Sequence, residues 1–149
     1  YKKSGRPGDM PHSSTTRHID VPNAPLYPFG YGLSYTKFRY KSKGVNVEQD
    51  TVKVSFEVSN TGKYDGDEVT QVYVKYPETG TYMPLKQLHG FKRVHIKKGK
   101  TSKVTIGVPK KDLRYWDEQE RKFVTPKGEY TFMVGASSDD IKFRETVGL

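Results

Sequence analysis

In Val52-Lys53-Val54-Ser55-Phe56-Glu57-Val58-Ser59, apolar and polar residues take strict turns. Side chains of an extended strand point alternately to its two faces. Val52, Val54, Phe56 and Val58 therefore share one face, and Lys53, Ser55, Glu57 and Ser59 the other. Asn60-Thr61-Gly62 ends the run, and Asp65-Gly66-Asp67 adds further turn chemistry. Val69 to Tyr76 repeats the pattern, with Thr70, Val72, Val74 and Tyr76 on one side. Gln87 to Ile96 reads as a third strand, bent at Gly90. After a tight turn at Lys98-Gly99, Val104, Ile106 and Val108 alternate with Lys103, Thr105 and Gly107. Pro126-Lys127-Gly128 precedes a strand carrying Tyr130, Phe132 and Val134 on one side. Ser137 to Asp140 turns the chain into a last strand, where Ile141 and Phe143 alternate with Lys142 and Arg144. Helical character is confined to a short turn near Lys111 to Glu118. About seven strands with regularly spaced turns predict an all-β, antiparallel, two-sheet sandwich.

The first 35 residues read differently. They hold Pro7, Pro11, Pro22, Pro25 and Pro28 and little apolar periodicity. Proline lacks an N–H donor and blocks regular ladders, so residues 1–35 read as a linker or arm and 36–149 as the sandwich. A chain of 149 residues suits one domain. The absence of cysteine excludes disulfides, zinc fingers and thiol nucleophiles, so the core alone must hold the fold. The net charge of +9 suggests an acidic partner, but the charges are dispersed. Lys53, Lys75, Lys92, Lys103, Lys142 and Arg144 alternate with apolar residues and read as solvated sheet faces. There is no apolar run of about 18 residues to span a membrane.

The aromatic run Tyr27, Phe29, Tyr31, Tyr35, Phe38, Tyr40 is the strongest candidate for function. Flat rings with polar edges suit either stacking on sugars or packing between domains. The interleaved glycines and prolines favour a set crossing path, hence domain packing. Trp116, beside Asp117, Glu118 and Glu120, suits a sugar subsite or a core-closing anchor, and the anchor is favoured. Asp65, Asp67 and Glu68 read as an acidic hairpin turn rather than a calcium loop. Gly30-Tyr31-Gly32 is no nucleotide loop, since no strand clearly precedes it and no helix follows. Gly32-Leu33-Ser34-Tyr35-Thr36 lacks the final glycine of a nucleophile elbow. His12, His18, His89 and His95 have no metal-ligand spacing. No metal and no cofactor is expected.

Several segments, in order, resemble the C-terminal part of family 3 glycoside hydrolases. The most specific is Pro25-Leu26-Tyr27-Pro28-Phe29-Gly30-Tyr31-Gly32-Leu33-Ser34-Tyr35-Thr36. Asn60-Thr61-Gly62 with Gly66-Asp67-Glu68-Val69-Thr70-Gln71-Val72-Tyr73-Val74, and Pro84 to Val94, are similar to the pieces that follow. Leu113, Trp116 and Gly128 to Ile141 resemble the closing strands, and Ser4-Gly5-Arg6-Pro7 the exit from a preceding α/β sandwich domain. The resemblance implies a fibronectin type III-like, immunoglobulin-type sandwich serving a β-glucosidase or β-xylosidase. In that family the nucleophilic aspartate and the acid/base residue would lie upstream of Tyr1, so no catalytic residue is assigned here. The implied role is to buttress the catalytic domains, with Tyr27, Phe29, Tyr31, Tyr35 and Trp116 as interdomain or sugar contacts. The implied partners are those upstream domains and polysaccharide substrate, with no nucleic acid and no membrane. The implied location is periplasmic or secreted, with any signal peptide upstream. The competing expectation is a stand-alone module binding carbohydrate or an anionic polymer.

Overall fold

A computed structural model describes residues 25–78 and 83–149. The expectations placed on Ser4-Gly5-Arg6-Pro7, His12, His18 and the first two-thirds of the arm lie outside the described residues. Among the described residues the strands run β1 (Phe38–Val47), β2 (Thr51–Asn60), β3 (Gly66–Lys75), β4 (Gln87–Ile96), β5 (Thr101–Pro109), β6 (Tyr115–Asp117), β7 (Lys122–Val124), β8 (Glu129–Gly135) and β9 (Ile141–Gly148). One sheet has the order β1-β2-β5, the other β4-β3-β8-β9, and β6-β7 is a separate hairpin. Every pairing is antiparallel. The seven long strands form the expected fibronectin type III-like sandwich, with β1 and β9 adjoining along one side and β4 and β5 along the other.

The alternation in β2 does what its pattern predicts. Val52, Val54, Phe56 and Val58 are buried and meet Val104, Ile106 and Val108 of β5 in register. Across the sandwich they face Val72, Val74, Tyr130, Phe132 and Val134, which belong to the same core cluster. Phe56 is central: Tyr40 stacks on it at 6.0 Å and Phe143 meets it edge-on at 5.9 Å. On the outer face Ser55 and Ser59 pair with Thr105 and Thr101, while Lys43 and Lys53 bridge to Glu57 and Glu48. The lysines on this sheet thus sit on a solvated face, as expected.

Strand β4 bends at Gly90, as expected, because the β3–β4 register shifts between Val72 and Tyr73, opposite Gly90 and Leu88. A Cβ at Gly90 would lie only 2.6 Å from Ile106 Cγ2, so the glycine sets how closely β4 approaches β5. Lys92, opposite the buried Thr70, occupies an inner-face register position at the open edge of its sheet and stays exposed. A charge placed there discourages another strand from pairing with the edge.

Three expectations are corrected. Asn60 to Gly66 is not a hairpin: β2 and β3 belong to different sheets, so the acidic segment is a corner between layers. The turn near Lys111 to Glu118 is a 3₁₀ turn only over Lys110–Leu113, followed by the β6–β7 hairpin. Trp116 does not close the core; Leu113, fully buried, does, and Trp116 is 50% exposed on the hairpin. The apolar signal at the sandwich end was real, but it belonged to the smaller residue three positions earlier.

This placement orders two truncations. Phe56→Ala should cost about 3–5 kcal/mol of unfolding free energy, since it removes a buried ring and leaves a cavity. Trp116→Ala should cost about 1 kcal/mol or less, in the range of a cross-strand pair. Urea denaturation followed by far-UV circular dichroism measures both, and the reverse order would contradict the placement.

Candidate docking face

The segment from Pro25 to Thr36 crosses the outer face of the β4-β3-β8-β9 sheet. It makes a tight turn, Tyr31 N–H donating to Pro28 O at 3.0 Å, with Gly30 at φ 79°. Two backbone carbonyls then anchor it: Ser138 N–H donates to Phe29 O at 2.8 Å and Gln71 Nε2 to Gly30 O at 3.1 Å. The same Gln71 Nε2 donates to Ala136 O at 2.7 Å, and Tyr73 O–H donates to Gln71 Oε1. A Cβ on Gly30 would fall 2.1 Å from Gln71 Oε1, so both its φ and the contact demand glycine.

Gln71 and Tyr73 point to the outer face of β3, yet both are buried. The middle of β3 is therefore covered on both sides, by the core within and, at Gln71, by the arm without. A second clamp lies where the arm joins β1. Thr36 O–H donates to Asn60 Oδ1 at 2.6 Å, while Asn60 Nδ2 donates to Tyr64 O and Ile96 O at 2.8 and 2.9 Å. Gly62 fits beside it only without a side chain, since a Cβ there would lie 2.1 Å from Thr36 Oγ1.

The clamped arm leaves much apolar surface uncovered. Leu26, Tyr27, Phe29 (66% exposed), Tyr31, Leu33 and Tyr35 (96%) all face solvent. Phe29, Tyr31 and Leu33 join Val69, Leu88 and Phe91 of the sheet in lining a groove of about 400 Å3. The arm and sheet edge thus present several large apolar side chains together on one face.

The aromatic run singled out in the sequence divides here. Tyr27, Phe29, Tyr31 and Tyr35 stay on the exposed arm, with the Tyr27 and Tyr31 rings 5.2 Å apart. Phe38 and Tyr40 turn inward against the core. Trp116 lies on the separate hairpin and lines no part of the groove. Sequence reading missed Gln71, Leu33 and Phe91. Phe91 carried a usable signal: it shares the outer face of β4 with Arg93 and His95, and an apolar residue on a wet face asks for a cover.

The carboxylates near the groove are separated by strand geometry. Asp67 and Glu68 are neighbours in β3 and point to opposite faces. Asp67 accepts from Arg93, with Nε at 2.8 Å, and pairs with His95 Nδ1 at 2.6 Å. The Arg93 and His95 hydrogen bonds hold its carboxyl below the usual range. Glu68 accepts from Tyr40 O–H at 2.6 Å, inside the β1–β9 side of the sandwich. Burial pushes its pKa up, against the lowering pull of Tyr40 and Lys142. Asp65 caps Lys98 N at 2.7 Å. The three acids thus serve separate partners, none of them shared. Among the described residues no group of three or more His, Asp or Glu is placed to hold a metal ion.

Comparison with known proteins follows this geometry. The family described as "Fibronectin type III-like domain" matches residues 68–138. A probable β-glucosidase D of Aspergillus niger is 38% identical over 87% of the chain, which covers 20% of that protein. A periplasmic β-glucosidase of Salmonella typhimurium is 35% identical over 95% of the chain, which covers 19% of that protein. In the crystal structure of a GH3 β-glucosidase from Bifidobacterium adolescentis, 83% of the chain superposes with a TM-score of 0.76 at 36% identity, on 18% of that protein. The chain spans about a fifth of the length of the relatives it matches.

The raised pKa of Glu68 has a definite sign. The folded state holds this proton more tightly than the unfolded chain, so the contribution of Glu68 to stability is full below pH 4.5 and is lost as pH rises through the raised value. Glu68→Gln keeps an acceptor for Tyr40 but cannot ionise. Urea midpoints from pH 4 to 7 should show the variant gaining on the wild type as pH rises, and a constant difference would contradict the burial of this carboxyl.

Proposed function

We propose, from the premise that this chain belongs to the fibronectin type III-like domains of family 3 glycoside hydrolases, that it is the non-catalytic support of a β-glucosidase-type enzyme. Its partner is the catalytic part of the same polypeptide, and the arm with the outer face of β3 and β4 is the docking surface. The observation that carries this reading is the clamped arm. Its backbone is held in one path by Gln71 and Ser138, while its large side chains remain uncovered. A rigid, apolar, solvent-facing surface suits a permanent contact, because little conformational freedom is lost when it is covered.

The acids near the groove support a non-catalytic role. Retaining hydrolysis needs two carboxyl groups about 5–5.5 Å apart across one sugar. Asp67 and Glu68 face away from each other and are already engaged. The named periplasmic location of the Salmonella relative supports an exported enzyme.

Two outcomes are expected. The 149-residue chain should show no turnover of nitrophenyl β-glucoside, and turnover above the buffer rate would overturn the reading. The exposed face should also make the free chain self-associate. Sedimentation velocity should find Phe29→Ser/Tyr31→Ser more monomeric than wild type at equal concentration, whereas identical profiles would count against a docking role.

A further inference from the structure

The β6–β7 hairpin belongs to neither sheet and carries the chain's single tryptophan. Trp116 and Phe123 are direct cross-strand partners, so their side chains stand on the same side of the hairpin. Their rings meet edge to face at 5.3 Å and 74°, and Arg114 Cζ lies 5.8 Å from the Phe123 ring centre. Despite these contacts Trp116 is 50% and Phe123 61% exposed. The hairpin is firmly built. Buried Leu113 anchors its base, and Asp117 Oδ1 accepts the N–H groups of Gln119 and Glu120, both at 2.9 Å, to close its tip.

Its position follows from the strand register. Strand β5 ends at Pro109, opposite Thr51, at the start of β2. The arm joins β1 at Phe38, opposite Asn60, at the other end of β2. These ten residues of strand separate the two places by about 30 Å. The hairpin therefore starts at the pole of the sandwich away from the arm's entry, and neither Trp116 nor Phe123 lines the groove beside the arm.

Size decides what the pair can hold. A large aromatic side chain offers about 150–250 Å2, so two half-exposed rings present roughly 200 Å2. A specific protein contact takes about 800 Å2 from each partner. Two rings fall well short of that but match one or two sugar rings. In β-linked glucose or xylose the hydroxyls are equatorial, leaving flat C–H faces that stack on an indole and a rim of hydroxyls that seek polar groups. Glu118, Gln119 and the Glu120–Lys122 pair at the tip supply such groups.

We propose that Trp116 and Phe123 form a stacking platform for a chain of β-linked pyranosides. The choice of β-linked sugars rests on the accessory-domain reading; the platform itself rests on the hairpin. Because Trp116 is the only tryptophan, its fluorescence reports this site alone. The 149-residue chain is titrated with cellohexaose and with xylohexaose, using an α-linked dextran as comparison. Retention on insoluble cellulose and xylan is measured at low and high salt.

The expected result is a saturable change of Trp116 emission with at least one β-linked hexasaccharide and none with dextran. Retention that survives high salt should fall about five- to tenfold in Trp116→Ala and be kept in Trp116→Tyr. Phe29→Ser/Tyr31→Ser should retain like wild type, so failure of the docking reading and failure of this one are told apart. Unchanged emission with both hexasaccharides, or equal retention of Trp116→Ala, would overturn the proposal. An emission change on adding the preceding domains but not the sugars would make the hairpin a domain contact and overturn it equally. The titration uses the unmodified chain and stands even if a variant fails to fold.

Discussion

A single buried amide holds the arm on the outer face of this sandwich. Gln71 lies on the outer face of β3, the side that an antiparallel sandwich ordinarily leaves to water. Its carboxamide is satisfied by Gly30 O, Ala136 O and the Tyr73 hydroxyl. Removing the arm would take away one of these three partners, Gly30 O, and bare the apolar surface beneath it. The arm is thereby part of the fold, and its trajectory is set by hydrogen bonds rather than by the side chains it displays. Those side chains are left exposed to solvent.

Asn60 performs the corresponding task at the end of the sandwich. Its side chain ties Thr36 of the arm to the β2–β3 corner at Tyr64 and to the end of β4 at Ile96. Its backbone receives Gly99 N–H and donates to Lys100 O, which adds the β4–β5 turn. One residue thus fixes arm, corner and turn together, and the neighbouring Gly62 and Gly66 exist as glycines because Thr36 occupies the space a Cβ would need. The docking role proposed for the arm and the stability of the fold therefore rest on the same residues.

Most of the sandwich was legible in the sequence because its strands are wet on one side, and a period of two survives wherever one face is buried. The bounds of β4 near Gln87 and Ile96 were legible, and its glycine marked the bend at Gly90. Legibility failed where the period was overridden. Gln71 and Tyr73 are buried at positions that alternation assigns to solvent; the arm lies against Gln71, and Tyr73 bonds to that same amide. Trp116 looked like a core anchor by size, but a hairpin of two three-residue strands carried it outward and left the sandwich end to Leu113. The acids of the β2–β3 corner were read as one turn, whereas chain crossing between sheets disperses them to separate partners. The exposed arm aromatics were legible by residue type, and their contact surface needed the fold.

Amide hydrogen exchange, followed residue by residue, tests the account most directly. It compares the 149-residue chain alone with the same residues within the longer polypeptide. Docking through the arm predicts that amides of Leu26 to Tyr35 not already hydrogen-bonded, together with those around Phe91, exchange far more slowly in the longer polypeptide. Those of Trp116 to Phe123 should exchange at the same rate in both. Equal exchange of the arm in the two samples would show that the face is not covered and would contradict the account.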